Sequence, residues 1–288
     1  MKVMIVAEIA SNWEGSMIKA RKLIQESKNA GADAVKFQMW RANDLYNNKH
    51  PDWKFIRKSE ITFEKAKKLK KIADKIGIEF FCSAFYPEAI EFLEKLNVKR
   101  YKIASRTCLF KDPSSLETLE AKAYTKKPVI ISMGMGGNRK KIEKIFSKNK
   151  KTFCYCISEY PTKINKINWK NAIMFDGFSD HTLGITAPIV FTLIKKQTKT
   201  KEILIEKHVK LHNSQSLDAS SSITTDELKE MISAIRESEK TIGSGTKEVL
   251  PEELELKIFA KRSIQATKNI SKGELLHEGI NFDIIYEE

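Results

Sequence analysis

The sequence is poor in the features that mark secreted, membrane-spanning and disordered proteins. Its 288 residues include only four cysteines, all in apolar surroundings, which argues against a disulfide-stapled secreted scaffold. No stretch approaches the about 18 consecutive apolar residues of a transmembrane helix, and the N-terminus lacks the layout of a signal peptide. Hydrophobic residues make up 41% of the chain, enough for a large buried core. We therefore expect a folded protein of the reducing cytoplasm, without a membrane partner.

Basic residues, by contrast, are in surplus, and the formal net charge is +14 at pH 7. Such a surplus suits nucleic acid, a membrane surface or an anionic small substrate. The lysines are scattered through runs such as Lys67–Lys71 and Asn138–Lys141, and no basic motif interleaved with aromatic residues stands out. We interpret most of this charge as solvated helix faces and expect no nucleic-acid partner.

Apolar periodicity switches repeatedly between strand and helix spacing. Strands are predicted at Val3–Ile9, Ala32–Gln38, Phe80–Phe85, Tyr101–Ser105, Val129–Met133, Thr152–Ile157, Gly177–Asp180 and Ile203–Val209. Helices are predicted at Met17–Ala30, Ile61–Ile76, Pro87–Leu96, Ser115–Ala123, Arg139–Ser147, Ala187–Lys195 and, from a capping box at Thr224, to about Lys240. This alternation predicts an α/β fold, a TIM (β/α)₈ barrel. The alternative is a doubly wound sheet, which usually carries a glycine-rich phosphate turn after its first strand; none is found here.

A domain edge is predicted at Gly243–Gly245. We predict a barrel domain over residues 1–245 and a short β-rich extension over 246–288, with strand-like segments at Arg262–Ile270 and Leu275–Tyr286. Two or three strands are too few for an independent hydrophobic core. The expected architecture is therefore a TIM barrel with a partial C-terminal extension.

Polar residues stand at the ends of the predicted strands. In a TIM barrel these ends open at one mouth, where catalytic residues collect. Lysine and serine side chains around one cavity suit a phosphate or a carboxylate, since the ammonium supplies charge and the hydroxyls supply hydrogen-bond donors. The residues in this group are Glu8, Lys36, Gln38, Ser83, Lys102, Ser105, Ser132, Ser158, Ser179, His181 and His208.

Several of these residues allow two interpretations. Lys36 lies within an apolar strand, where an unpaired ammonium is costly, so we favour a functional role over a side chain that reaches solvent. His181 and His208 end neighbouring strands and are either metal ligands or structural histidines. Tyr160 follows the sixth strand and either positions a ligand or turns the chain.

Two other spacings are discounted as metal sites. Cys154 and Cys156 share one face of a strand, and we interpret them as small core residues because no second cysteine pair accompanies them. His212 follows His208 by four residues, as in helical zinc motifs, but the flanking residues predict a strand.

Taken together, the segments resemble the N-acetylneuraminate (sialic acid) synthase family, which includes legionaminic and pseudaminic acid synthases. The resemblance covers nearly the whole chain, and it is carried by Ile5–Ile9 with Asn12 and Gly15, Gly31–Gln38, Tyr101–Ser105, Ile131–Met135, Ser158–Thr162, Phe178–Gly184 and Ile205–His208. It implies a TIM barrel followed by an antifreeze-like (SAF) domain, in a homodimer with exchanged domains. It also implies a transferase that condenses phosphoenolpyruvate with an N-acylated mannose-type sugar.

The resemblance further implies roles for single residues. Phosphoenolpyruvate would be held by Lys36, Ser83, Lys102, Ser105, Ser132, Ser158 and Ser179. His181 and His208 would ligate a divalent metal, usually manganese, with magnesium or cobalt as alternatives. Glu8, Gln38, Tyr160 and Asp218 would face the amino-sugar substrate, and Glu8 or Asp218 would handle protons during catalysis.

The chain departs from this family mainly on the sugar side of the expected site. Trp13, Arg106 and Ser216–Ala219 replace family residues. The SAF-like segment begins near Arg262 and stops at Glu288, before the arginine that the family extends into the partner's site. We therefore expect an altered acceptor sugar.

Two alternative functions stay open. The first is another metal-dependent phosphoenolpyruvate–sugar aldolase, which Arg106 would favour if the acceptor sugar is phosphorylated. The second is a barrel without catalytic activity that binds sugar or nucleic acid through its positive charge.

Overall fold

The computed structural model describes residues 2–198 and 202–286 and divides the chain into two compact units, Met1–Ile242 and Gly243–Glu288. In the first unit eight parallel strands follow one another around a sheet, and pairing between the first and the eighth closes it. The strands are β1 (Met4–Glu8), β2 (Ala34–Met39), β3 (Glu79–Ala84), β4 (Tyr101–Ile103), β5 (Val129–Ser132), β6 (Lys151–Cys156), β7 (Gly177–Asp180) and β8 (Leu204–Lys210). The predicted TIM barrel is confirmed.

Helices occupy the connections between the strands. They are α1 (Met17–Asn29), α2 (Ala42–Leu45), α3 (Trp53–Ser59), α4 (Phe63–Ile76), α5 (Pro87–Lys95), α6 (Ser115–Tyr124), α7 (Arg139–Ile145), α8 (Trp169–Ala172), α9 (Thr186–Lys196) and α10 (Thr225–Ser238). A short strand β9 (Ile223–Thr224) joins β8. The predicted capping box is present, because the Thr224 hydroxyl accepts from the Glu227 N–H at 3.2 Å and the Glu227 carboxylate accepts from the Thr224 N–H at 2.7 Å. The short helices α2, α3 and α8 were not predicted.

Inside the barrel, an apolar layer lies directly below a polar one. The apolar layer consists of Val6, Ala34, Phe81, Ile130, Cys154 and Leu204. Two residues further along the same strands stand Glu8, Lys36, Ser83, Ser132, Cys156 and Glu206. Because strand side chains alternate between two faces, each polar residue points to the same interior as the apolar residue before it. The lower layer thus closes the barrel, and the upper layer forms the floor of its mouth.

The second unit contains helix α11 (Pro251–Phe259) and an antiparallel pair, β10 (Arg262–Ala266) and β11 (Phe282–Tyr286). The strands are shorter than predicted, and residues 267–281 form turns and an isolated bridge instead. Its antifreeze-like identity stays a prediction. Over the described ranges of both units, no helix is long and apolar enough to cross a membrane.

A fully buried lysine connects the polar mouth to the helix layer. Lys122 on α6 donates hydrogen bonds to the carbonyls of Ala84 at 2.7 Å and Lys102 at 3.3 Å, at the ends of β3 and β4. In the part of the chain that is described, no carboxylate pairs with it. Burial therefore lowers the pKa of Lys122 to about 7.

We expect this lysine to make the barrel more stable as pH rises from about 7 to about 10. An unfolded lysine titrates at about pH 10.4. Between pH 7 and 10 the unfolded state therefore binds more protons than the folded state, and the free energy of unfolding increases with pH. Replacing Lys122→Met should reduce that slope by up to about 1.4 kcal/mol per pH unit. Urea unfolding between pH 7 and 10 measures it, with the exposed Lys71→Met as control. Equal slopes in wild type and Lys122→Met would contradict the assignment.

Candidate active site

The mouth of the barrel holds two cavities that share part of their walls. The inner one, about 60 Å³, is lined by ten of the predicted residues: Lys36, Gln38, Ser83, Lys102, Ser105, Ser132, Tyr160, Ser179, His181 and His208. The outer one, about 710 Å³, includes Ser158 and Asp218. Glu8 is fully buried and contacts Lys36. The structure thus brings every predicted site residue to the one mouth.

Two lysines and two glutamates form a buried ion cluster at the floor of this site. Lys36 contacts the Glu8 carboxylate directly, and its Nζ lies 3.6 Å from Glu206 Oε2 and 3.2 Å from Ser83 Oγ. Lys102 contacts the other Glu206 oxygen, and its Nζ lies 3.4 Å from Ser179 Oγ. With all four side chains ionised, the cluster is neutral overall.

The two lysines differ in how firmly they hold their charge. Burial lowers the pKa of Lys36 to about 8. The nearby Lys102 ammonium also lowers this pKa, whereas the Glu206 carboxylate raises it. Burial also opposes the charge of Lys102, but the Glu206 carboxylate outweighs it and raises the pKa of Lys102. Burial alone would raise the pKa of Glu206, yet the ammonium groups of Lys102 and Lys36 hold it well below its usual range. Lys102 therefore keeps its positive charge, and Lys36 is the lysine that can release a proton near neutral pH.

Serine hydroxyls surround this cluster, and two of them have no partner. Ser132 Oγ and Ser158 Oγ are buried and make no hydrogen bond within the described chain. Gly134 makes room for two of these hydroxyls, because a Cβ there would lie 2.6 Å from Ser158 Oγ and 2.9 Å from Ser105 Oγ. The Gly134 N–H donates to Ser105 Oγ at 3.0 Å. Buried hydroxyls without partners are costly unless a ligand oxygen satisfies them, so this wall is built to accept an anion.

The two histidines face one another above the floor, with ring centroids 5.3 Å apart. His181 Nδ1 lies 2.8 Å from the Ile157 carbonyl and therefore carries a proton. Burial opposes a charge on this imidazole, but the neighbouring Cys156 sulfur and the Ile157 carbonyl outweigh it and raise the pKa of His181. His208 Nδ1 is buried and has no partner among the described residues. Burial lowers the pKa of His208 to about 3, which keeps that imidazole neutral.

This pair fits a divalent cation, although it would supply only part of the coordination. An imidazole oriented by a carbonyl, as His181 is, is a typical metal ligand once its Nε2 has lost its proton, and the buried His208 Nδ1 has no hydrogen-bond partner among the described residues. In the described ranges, no group of three or more His, Cys, Asp and Glu side chains could hold a metal. A cation here would therefore need ligand oxygens and water to complete its coordination.

The outer cavity has both apolar and polar walls. Its apolar and aromatic lining includes Trp40, Leu45, Tyr46, Phe85, Leu109, Met135 and Leu217. Arg106 also lines it, but the Asp112 carboxylate accepts two hydrogen bonds from its guanidinium, at 2.7 and 2.6 Å. Tyr160 is half-exposed and lies over His181, with ring centroids 4.3 Å apart. Asp218 accepts from the Ser11 N–H at 2.9 Å, which fixes its loop to the end of β1.

Sequence reasoning missed two titratable residues of the inner cavity. Glu206 bridges both lysines, and its position two residues before His208 on one strand placed it on the same face, a signal that could have found it. Cys156 is buried as predicted, but it also lines the cavity, with its Sγ 4.0 Å from His181 Nδ1. His212, discounted as a ligand, instead pairs with Asp226 at 2.7 Å on the surface.

Comparison with known proteins finds one matching family model, described as the NeuB family, over residues 23–247. An uncharacterized protein of Methanocaldococcus jannaschii is 37% identical, covering 94% of this chain and 81% of its own. The pseudaminic acid synthase of Campylobacter jejuni is 34% identical, covering 96% of this chain and 85% of its own. Among solved structures, the N-acetylneuraminic acid synthetase of Leptospira borgpetersenii, crystallised with citrate, has a TM-score of 0.76 at 25% identity, covering 89% of this chain and 90% of its own.

We expect Glu206→Gln to tighten binding of inorganic phosphate at this mouth. The substitution keeps the side-chain size and removes the carboxylate that competes with phosphate for both lysines, and we expect a gain of about 10-fold, or about 1.4 kcal/mol. Lys102→Met should weaken phosphate binding. Glu159→Gln removes a carboxylate that pairs with Lys166 outside the cluster, and it should leave phosphate affinity unchanged. Isothermal titration at two salt concentrations measures the three effects. Weaker binding to Glu206→Gln would argue against the charge balance described here.

Proposed function

Because this chain belongs to the NeuB family, we propose that it is a nonulosonic acid synthase, which joins phosphoenolpyruvate to an N-acylated mannose-type sugar and releases phosphate. The observation that carries this proposal is the mouth of the barrel, where paired lysines and the unpartnered Ser132 and Ser158 hydroxyls lie together with two histidines. Phosphoenolpyruvate has a phosphate and a carboxylate on a small rigid skeleton. Both groups need cations and hydroxyl donors at close range.

The anion would lie between the two lysines and the serine wall. Lys102 keeps its charge throughout, and Ser132 and Ser158 supply the hydrogen-bond donors that nothing else uses. During the reaction the enol carbon attacks the sugar aldehyde, water adds to the carbon that bears the phosphate, and phosphate departs. Lys36, in contact with Glu8, can pass a proton within this buried site, because its pKa of about 8 lies close to neutral pH.

His181 and His208 would hold the divalent metal, which we expect to be manganese and which, when bound, polarises the acceptor aldehyde. Tyr160 covers this position from the outer side. Gln38 Nε2 lies 3.3 Å from Glu8 Oε1, and with Asp218 it presents polar groups to the sugar at the boundary of the two cavities. The manganese ion, the homodimer and the cytoplasmic location all stay predictions.

The acceptor sugar would occupy the outer cavity. Its aromatic and aliphatic walls suit the methyl groups of N-acyl substituents and a deoxygenated sugar carbon. Asp112 neutralises Arg106, the residue on which we expected a phosphorylated acceptor to depend, so we favour an acceptor without phosphate. Lys111 also lines this cavity and is the cation that the alternative aldolase, which acts on a phosphorylated sugar, would use.

Phosphate release from phosphoenolpyruvate tests the proposed function. With manganese present, we expect turnover with N-acetylmannosamine or a 6-deoxy diacetamido relative, a loss of at least about 100-fold in Lys102→Ala, and a similar loss in His208→Ala. The exposed Lys140→Ala serves as control. No turnover with any acceptor in the panel, together with no binding of phosphoenolpyruvate, would contradict the proposal.

The Arg106–Asp112 pair tests which class of acceptor this protein uses. If Asp112 shields the guanidinium, Asp112→Asn should free it and raise the ratio of kcat/KM for phosphorylated to unphosphorylated sugars by about 10-fold, or about 1.4 kcal/mol. Steady-state kinetics with both acceptor types measures this ratio. A wild type that already prefers the phosphorylated sugar would support the alternative aldolase.

A further inference from the structure

A second buried ion pair joins the strands that carry the histidines, on their other side. Lys207 Nζ lies 2.6 Å from Asp180 Oδ2, and both side chains are completely buried. The two residues are register partners in β7 and β8 and line neither cavity. Because strand side chains alternate, this pair faces the helix layer, while Ser179 and Glu206 beside it face the barrel interior.

Both partners also hold the turn that contains His181. The Asp180 carboxylate accepts from the Thr182 N–H at 2.9 Å and from the Thr182 hydroxyl at 3.0 Å. The Lys207 ammonium also donates to the Thr182 carbonyl, at 2.5 Å. His181 thus lies between two residues that this pair fixes, and His208 follows Lys207 directly.

Such a pair is a poor way to stabilise a fold. The desolvation cost of two buried ions offsets much of their attraction, and apolar side chains of similar size would often serve as well. Its bonds, however, are directional, and they fix how far the ends of β7 and β8 extend relative to each other. The separation of the two imidazole rings, 5.3 Å between centroids, depends on that alignment.

We propose that the Asp180–Lys207 pair is a positioning device that sets the relative placement of the His181 and His208 imidazoles. The pair acts from outside both cavities. It lines neither the space beside the imidazoles nor the anion floor. The link to metal binding rests on the proposed function; the placement of the rings does not.

The test replaces both charges together, so that no ion is left unpaired. Asp180→Asn/Lys207→Met keeps an oxygen acceptor for the Thr182 N–H. The matched control is Glu79→Gln/Arg100→Met, which removes the ion pair between the starts of β3 and β4, where Arg100 Nε lies 2.6 Å from Glu79 Oε1. Asp180→Asn alone is the second variant if the double variant does not fold.

Two readouts separate positioning from a purely structural role. The chain has five histidines, so long-range ¹⁵N–¹H spectra of the metal-free protein resolve individual imidazoles. We expect the His181 and His208 signals to move in Asp180→Asn/Lys207→Met and to stay in the control variant. Manganese affinity should fall by about 10- to 100-fold in the first variant only.

Each outcome decides the matter. A folded Asp180→Asn/Lys207→Met, or a folded Asp180→Asn, with wild-type imidazole signals and wild-type manganese affinity would overturn the proposal. Moved signals in a protein whose wild type binds no manganese would support the positioning role and overturn the metal assignment. Moved signals together with weakened manganese binding would support both.

Discussion

The mouth of this barrel depends on four buried charges that balance one another. Lys36, Lys102, Glu8 and Glu206 are almost completely buried, and removing ions from bulk water costs several kcal/mol each. That cost is offset because each ammonium contacts a carboxylate and lies within reach of a serine hydroxyl. The balance leaves no net charge, yet it keeps two cations in a small cavity where an anion can reach them.

The strand period explains why these ions can exist in a barrel interior at all. Along six of the strands, an apolar side chain closes the barrel and a polar one follows two residues later on the same face. The apolar layer supports the ions from below and excludes water, which strengthens every electrostatic interaction above it. On the opposite face of β7 and β8, the Asp180–Lys207 pair occupies the helix layer instead, so charge lies on both sides of the strands that end in the histidines.

Much of this arrangement could be predicted from the sequence, and the exceptions have physical causes. Strand ends were predictable because parallel strands present their last residues at one mouth, which is how Lys36 and His208 were found. Glu206 was missed because its partners Lys36 and Lys102 stand on other strands, and because its spacing of two residues from His208, which places both on one face, was not used. Helices α2 and α3 were missed because the segment 42–59 lacks sustained helical periodicity, and tertiary contacts such as those of Trp40 and Ile56 hold it.

The neutrality of the ion cluster also constrains what the complete site must contain. A phosphate and a carboxylate together bring at least two negative charges, and the cluster has no surplus positive charge to offer them. Lys102 and Lys36 can turn toward the ligand only as Glu206 and Glu8 lose part of their pairing, which leaves carboxylates close to an anion. Like charges in so small a buried space repel strongly. The His181 and His208 imidazoles stand above this floor, and a divalent cation held by them would offset the repulsion. With such a cation, the anion floor and the histidine pair would act as one electrostatic unit, in which the charge of the cation offsets the charge of the ligand.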